Sequence, residues 1–135
     1  MVAIESVLDV ALHSSVMPAR SRAICERQGV SLRYLETILQ ALVKGGILRS
    51  VRGPKGGYVL ASDRRKITLE DIRSCIAANK DEVVICHSAA LDQVADVVDK
   101  AISKTLSQVT IQDLYDRTMP ESVENDGKDA GSFAI

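Results

Sequence analysis

Eight side chains in the first half of this 135-residue chain have the chemistry to grip a nucleic acid. Ser31, Arg33, Tyr34, Thr37 and Gln40 lie within ten positions. Arg33, Thr37 and Gln40 are four and three residues apart, the spacing of one helix face. Guanidinium, hydroxyl and carboxamide groups read base edges in a groove, and cations such as those of Arg49, Arg52 and Lys55 suit phosphates. Cys86 beside His87 is a second constellation. An exposed thiol with an imidazole neighbour can supply thiolate, the form that reacts with oxidants and binds metals. Catalytic patterns are missing. Gly53–Gly57 lies in a hairpin and not between a strand and a helix, where a phosphate loop would sit, and no motif places a Ser/His/Asp set or a carboxylate pair. A binding protein is expected, not an enzyme.

The elements that must hold these groups are written in Val30–Leu60. Leu32, Leu35, Ile38, Leu39, Leu42 and Val43 form one apolar stripe at helical spacing, with Ser31 ahead of them as N-cap. Gly45 and Gly46 are expected to end that helix by taking left-handed dihedrals. Two β-type runs follow, Leu48–Arg52 and Tyr58–Leu60, around the turn-rich Gly53–Gly57. Before the turn Gln28–Ser31, a short helix covers Ser21–Gln28 and is closed by Gly29. Ala3–His13 is a packing helix with Ile4, Val7, Leu8, Ala11 and Leu12 inward and His13 as a capping or surface residue. Another helix starts at Thr68 with Glu70 and Asp71 in its first turn and runs to about Ala78. A helix-turn-helix beside a basic hairpin is the layout of a winged helix, here residues 1–78. Cys25 and Cys75 fall among apolar neighbours and read as packed thiols.

Residues 79–88 read as a linker, and residues 89–117 as a long helix followed by a short one. Leu91, Val94, Ala95, Val98, Ile102, Leu106 and Val109 recur at three- and four-residue steps. A helix of about 20 residues spans roughly 30 Å, more than a small winged helix covers. The seam Leu91, Val94, Val98, Ile102, Leu106 and Val109 is therefore expected to pack on a second copy, the alternative being a fold back onto its own domain. Thr110–Asp116 reads as a last helical turn, and 118–135, rich in Gly, Asp, Glu, Ser and Asn, as a disordered tail.

Composition fits that outline. Apolar residues make up 46% and aromatics 3%, with no Trp, so an aliphatic, mostly α core with one small β-hairpin is expected. No stretch reads as a membrane span or a signal peptide, which points to a soluble, cytoplasmic protein without membrane contact. Three cysteines at unrelated spacings make neither a disulfide framework nor a C-x-x-C pair. The net charge of −1 conceals an asymmetry: residues 1–66 carry 11 Lys and Arg against 5 Asp and Glu, and the rest 6 against 13. The basic half, at +6, is the one with the helix-turn-helix.

Leu8–His13 (LDVALH), Glu26–Glu36 (ERQGVSLRYLE), Val51–Ala61 (VRGPKGGYVLA), Ile67–Ile72 (ITLEDI) and Val109–Leu114 (VTIQDL) occur in an order found in one family. Over residues 4–116 the chain resembles the Rrf-type (Rrf-two) winged-helix bacterial transcription regulators, the group that includes IscR, NsrR and CymR. The resemblance implies a winged helix-turn-helix with a long dimerisation helix that crosses its partner. It also implies a homodimer that binds an imperfect palindrome in double-stranded DNA, mostly as a repressor. Family members begin several residues earlier, so Met1 falling inside the first helix leaves a short start or a truncated chain open. Cluster-binding members carry three linker cysteines, whereas here only Cys86 stands at such a place. An iron–sulphur cluster takes four ligands, and Cys86 with His87 supplies two per chain, so no resident cofactor is expected unless a site is shared across the dimer. A redox, metal or cluster signal through Cys86 is the expected input. The alternative is a winged-helix protein-interaction module that does not bind DNA.

Overall fold

The computed structural model describes residues 1–78 and 88–118. Helices α1 (Val2–His13), α2 (Ser21–Gln28) and α3 (Leu32–Lys44) precede a hairpin of β1 (Leu48–Val51) and β2 (Gly57–Leu60). Helices α4 (Leu69–Ala78), α5 (Ala89–Leu106) and α6 (Ile111–Thr118) follow. The fold is mostly helical, a winged helix with a long helix after it.

α2 stops where Gly29 takes φ 67° and its amide bonds to the Cys25 carbonyl at 2.9 Å. α3 begins two residues later because the Ser31 hydroxyl accepts the Tyr34 amide at 3.3 Å. Its stripe buries Leu35, Ile38, Leu39 and Leu42, which fixes Arg33, Thr37 and Gln40 outward. β1 and β2 pair antiparallel from Leu48–Leu60 to Val51–Gly57, so Arg52 lies just beyond β1 and Gly57 inside β2. A third short piece joins the wing: Ala19 and Tyr58 exchange backbone hydrogen bonds of 2.9 and 2.8 Å. Gly57 permits this approach, since a Cβ there would lie 2.4 Å from the Ala19 carbonyl oxygen.

α1 is rotated from its expected face. Val7 and Val10 are fully buried, Ala3 and Ala11 nearly so, while Ile4, Leu8 and Leu12 are only half-buried. The cause is polar: Ser6 and Asp9 also face inward, against α2. Arg27 meets the Asp9 carboxylate with two bonds, Nε to Oδ2 at 2.8 Å and Nη2 to Oδ1 at 2.5 Å. Gln28 donates to the Ser6 hydroxyl at 3.2 Å. A buried carboxylate is tolerated only when paired, so this seam sets the register of α1 on α2. His13 stays at the exposed end of α1.

Two similar segments close the molecule. Thr68 and Asp71 exchange capping bonds at the start of α4, Asp71 amide to Thr68 Oγ1 at 3.1 Å and Thr68 amide to Asp71 Oδ2 at 2.9 Å. Thr110 and Asp113 repeat this at α6 with 3.2 and 2.8 Å. The segments then pair antiparallel: the Leu69 amide bonds Val109 O and the Ile111 amide bonds Ile67 O, both at 2.9 Å. Ile111 is thereby fully buried in the same core as Val7 and Ile72, so α6 joins the winged helix instead of forming a unit with α5.

α5 differs from expectation at its end. It stops at Leu106, and Val109 lies in the paired segment, not on the helix. Leu106 and Val109 pack against the core of their own chain, which separates them from the proposed seam. Leu91, Val94, Val98 and Ile102 are exposed, as is Val97, and every residue from Ala89 to Ile102 is open. Ser88, placed in the linker by sequence, caps α5 through the Leu91 amide at 3.4 Å. Thr118 ends α6 and is not part of the tail. The rest of the linker, with Cys86 and His87, and the tail from 119 lie outside the described residues. Among the described residues no helix is long and apolar enough to cross a membrane.

The Asp113 carboxyl is held below the usual carboxylate range, first by the Thr110 amide and then by the Thr110 hydroxyl. A depressed carboxylate stabilises above its unfolded pKa and loses that contribution as pH falls through the folded value. Thr110→Ala should cost about 1 kcal/mol in urea unfolding at neutral pH, as for a lost N-cap. Asp113→Asn should be less stable than wild type near pH 6, with the gap narrowing as pH falls below the ordinary carboxylate range. A gap that persists in acid would mean the carboxylate does not act through this cap.

Candidate nucleic-acid interface

The outer face of α3 follows from its buried one. Arg33, Glu36, Thr37, Gln40 and Lys44 are exposed on the side away from the core, and Tyr34 stands at the edge, 53% exposed, beside Met1 and Val2. Thr37 donates its hydroxyl to the Arg33 carbonyl at 3.1 Å, leaving the oxygen lone pairs as acceptors. Ser31 uses its oxygen as cap acceptor, so its proton stays available to a phosphate.

The wing stands beside this face. Gly53 turns at φ 111°, and a Cβ on Gly56 would sit 2.1 Å from the Val51 carbonyl oxygen, so the tip folds tightly on itself. Arg49, Arg52 and Lys55 are exposed, and no ion pair among the described residues engages them or Arg33. Arg20 reaches across from the start of α2 and donates to the Pro54 carbonyl at the wing tip. Arg20, Ser21 and Arg22 line one side of a hollow whose other side is Gly53, Pro54, Gly56 and Tyr58. The sequence reading did not single out Arg20, Arg22 or Lys44. A signal was present for the first two: α2 has Arg20 at its N-cap and Arg22 in its first turn, with no acid there and no capping side chain. Cations at the positive end of a helix are unfavourable unless an anion joins them.

A family model described as Rrf2, iron-dependent transcriptional regulator, matches residues 1–117. The chain belongs to the Rrf2 family. Regulators named IscR are among its relatives: the one from Xenorhabdus nematophila is 44% identical over 79 residues, 58% of this chain and 48% of that protein. The one from Klebsiella pneumoniae is 36% identical over 124 residues, 91% of this chain and 76% of that protein. Several of these matches span about half the length of the relative. Among solved structures, T. potens IscR superposes with a TM-score of 0.72 at 28% identity, covering 97% of this chain and 90% of that one. CymR, titled the global cysteine regulator of B. subtilis, gives 0.66 at 26% identity, covering 84% and 89%.

The Rrf2 description raises the question of iron, and the described residues do not fit a metal or a cluster. Among them no group of three or more His, Cys, Asp or Glu side chains converges. Cys25 donates its thiol to the Val30 carbonyl inside the helix-turn-helix turn. Cys75 is half-buried against the end of α3, and burial first, then Asp71, pushes its thiol pKa up. This contact corrects the reading of Gly45. Gly46 has φ 78°, the left-handed value expected, but Gly45 stays right-handed at φ −79°. Gly45 is needed for space, because a Cβ there would lie 2.1 Å from Cys75 Sγ.

Gly45→Ala should therefore overpack the α3–α4 junction and cost about 1–3 kcal/mol in urea unfolding. Adding Cys75→Ala removes the nearest atom and should recover part of the loss. An unchanged midpoint for the single variant would show that the junction yields freely.

Proposed function

We propose that this Rrf2 chain is a cytoplasmic, homodimeric transcriptional regulator that reads double-stranded DNA, one copy on each half of an imperfect palindrome, and represses by occupying it. The observation that carries the reading is the single basic face: Arg33, Arg49, Arg52 and Lys55 are exposed together around α3 and the wing, without ion-pair partners among the described residues. α3 offers Arg33, Thr37 and Gln40 along one line, the shape and donor set that a major groove accepts. Ser31 and Tyr34 flank that line, near the phosphates, and the wing cations lie against the backbone beside it.

Dimerisation rests on α5, whose 18 residues span about 27 Å. Leu91, Val94, Val97, Val98 and Ile102 leave an apolar face exposed among the described residues. Two such helices packed together would hold two copies of α3 about one DNA turn apart, as palindromic half-sites require. The signal enters through Cys86, which lies between the reading domain and α5 in sequence. His87 is its candidate co-ligand if a metal is the signal, and a cluster would need donors from both copies. The bare thiol needs no additional ligand.

A duplex titration over a salt series tests the DNA reading. Arg52→Ala and Lys55→Ala should each lower the slope of log K against log salt by about 0.9 and weaken all sequences alike. Gln40→Ala should relax preference at one position. Val98→Asp places a carboxylate without a partner in the seam, so it should yield a monomer that has lost full-site affinity. Wing variants that bind like wild type at every salt concentration would sink the wing assignment, and a monomeric wild type at micromolar concentration would sink the seam.

Cys25 and Cys75 are packed, so Cys86 should label first with a thiol reagent in the native protein. Cys86→Ser should retain DNA binding and lose its response to oxidant or iron. A variant that still responds moves the sensor elsewhere.

A further inference from the structure

Among the described residues, α5 meets the winged helix from Asp99 to its end at Leu106. Ahead of Asp99 its residues are exposed. At Asp99 a side-chain joint begins: Arg73 of α4 donates Nη1 to Asp99 Oδ1 at 2.8 Å. The same guanidinium grips Glu70 with its other edge, Nε to Oε2 at 2.8 Å and Nη2 to Oε1 at 3.0 Å. Glu70 in turn accepts the hydroxyl of Ser103, one turn along α5, at 2.9 Å. Beyond this joint the chain returns to the core through the backbone pairing of Val109 with Leu69. α4 also packs on the reading helix, through Ile72 in the core and Cys75 against Gly45. The Arg73 fork thus stands between the helix proposed to hold the partner and the helix proposed to hold DNA.

We infer that Arg73 is a positioning residue: its fork across Glu70 and Asp99 fixes the angle of α5 on the winged helix, and with it the half-site spacing that the dimer accepts. The inference rests on the DNA-binding dimer proposed above. From Asp99 to Leu91 the helix forms an arm of about 12 Å, and a tilt of about 15° moves its far end by about 3 Å, close to the rise of one base pair. Two copies together double the effect. Lysine cannot replace this fork, since an ammonium is a point charge without the two-edged planar geometry. Asp99 is 63% exposed, so losing its bond affects folding little and geometry more.

Sites selected from a random duplex library by wild-type protein would give the half-site. Duplexes with the spacer between half-sites shortened or lengthened by one or two base pairs then form the test series. Wild type should prefer one spacer by about tenfold or more. Arg73→Ala, Arg73→Lys and Asp99→Asn should each shrink that preference by roughly threefold or more, with melting temperature and dimer affinity unchanged. Asp99→Glu, which can still reach the guanidinium, should keep the preference. Variants that retain the wild-type preference, or lose affinity for every spacer by one common factor, overturn the inference. So does a wild type that binds duplex with no spacer preference, although DNA binding itself then stands. A wild type that binds no duplex removes the DNA reading and the inference together.

Discussion

The antiparallel pairing of Ile67–Leu69 with Val109–Ile111 is the constraint from which the shape of this protein follows. Each segment opens a helix whose first amides have no partner within it, and each answers with a Thr–Asp capping exchange. Capped starts can lie back to back without leaving donors unpaired. Because this pairing fastens the chain on both sides of α5, the long helix must leave α4 and come back to the same place. Its C-terminal end is anchored with Leu106 and Ile111, and its beginning is exposed among the described residues. The exposed seam is thus a consequence of where the chain is required to return.

Charge sorts the molecule in the same direction. The face of α3 and the wing is basic, while α5 carries Asp92, Asp96 and Asp99 along its polar side. Asp96 pairs with Lys100 and Asp99 with Arg73, so the acids are partly neutralised within the helix and its joint. On the proposed reading, the acids that remain repel phosphates from α5 and leave the α3 and wing face for the polyanion. Arg20 adds rigidity on that face by bonding the Pro54 carbonyl, so the wing tip is held from α2 as well as from its own strands.

Features set by near neighbours in sequence were legible before the structure. The α3 stripe, the Ser31 cap, the Gly29 stop and the hairpin around Gly53–Gly57 need only local periodicity and turn chemistry. What was missed depends on residues far apart in the chain. Asp9, absent from the inward set expected of α1, is buried because Arg27, 18 residues on, pairs with it. Gly45 looked like a left-handed cap, when its missing Cβ makes room for Cys75. Val109 kept helical spacing with Leu106 although the helix had already ended, because the pattern of a buried strand-like residue and of a helical one coincide over a single step. The resemblance between ITLEDI and VTIQDL was present as text, but their pairing was not, since antiparallel contacts leave no local trace.

The cysteines show how function divides along the same lines. Cys25 and Cys75 flank α3 at opposite ends, one bonded to the Val30 carbonyl before it, the other wedged against Gly45 after it. Both contacts are structural, and modifying either thiol would disturb the helix-turn-helix directly. Cys86 differs in connection: its segment joins the last turn of α4 to the Ser88 cap of α5 in sequence. In sequence it therefore stands between the two elements that Arg73 ties together. On the proposed reading, a thiol placed there can shift the spacing of two intact reading heads without unfolding either, which is the smaller free-energy change and the reversible one.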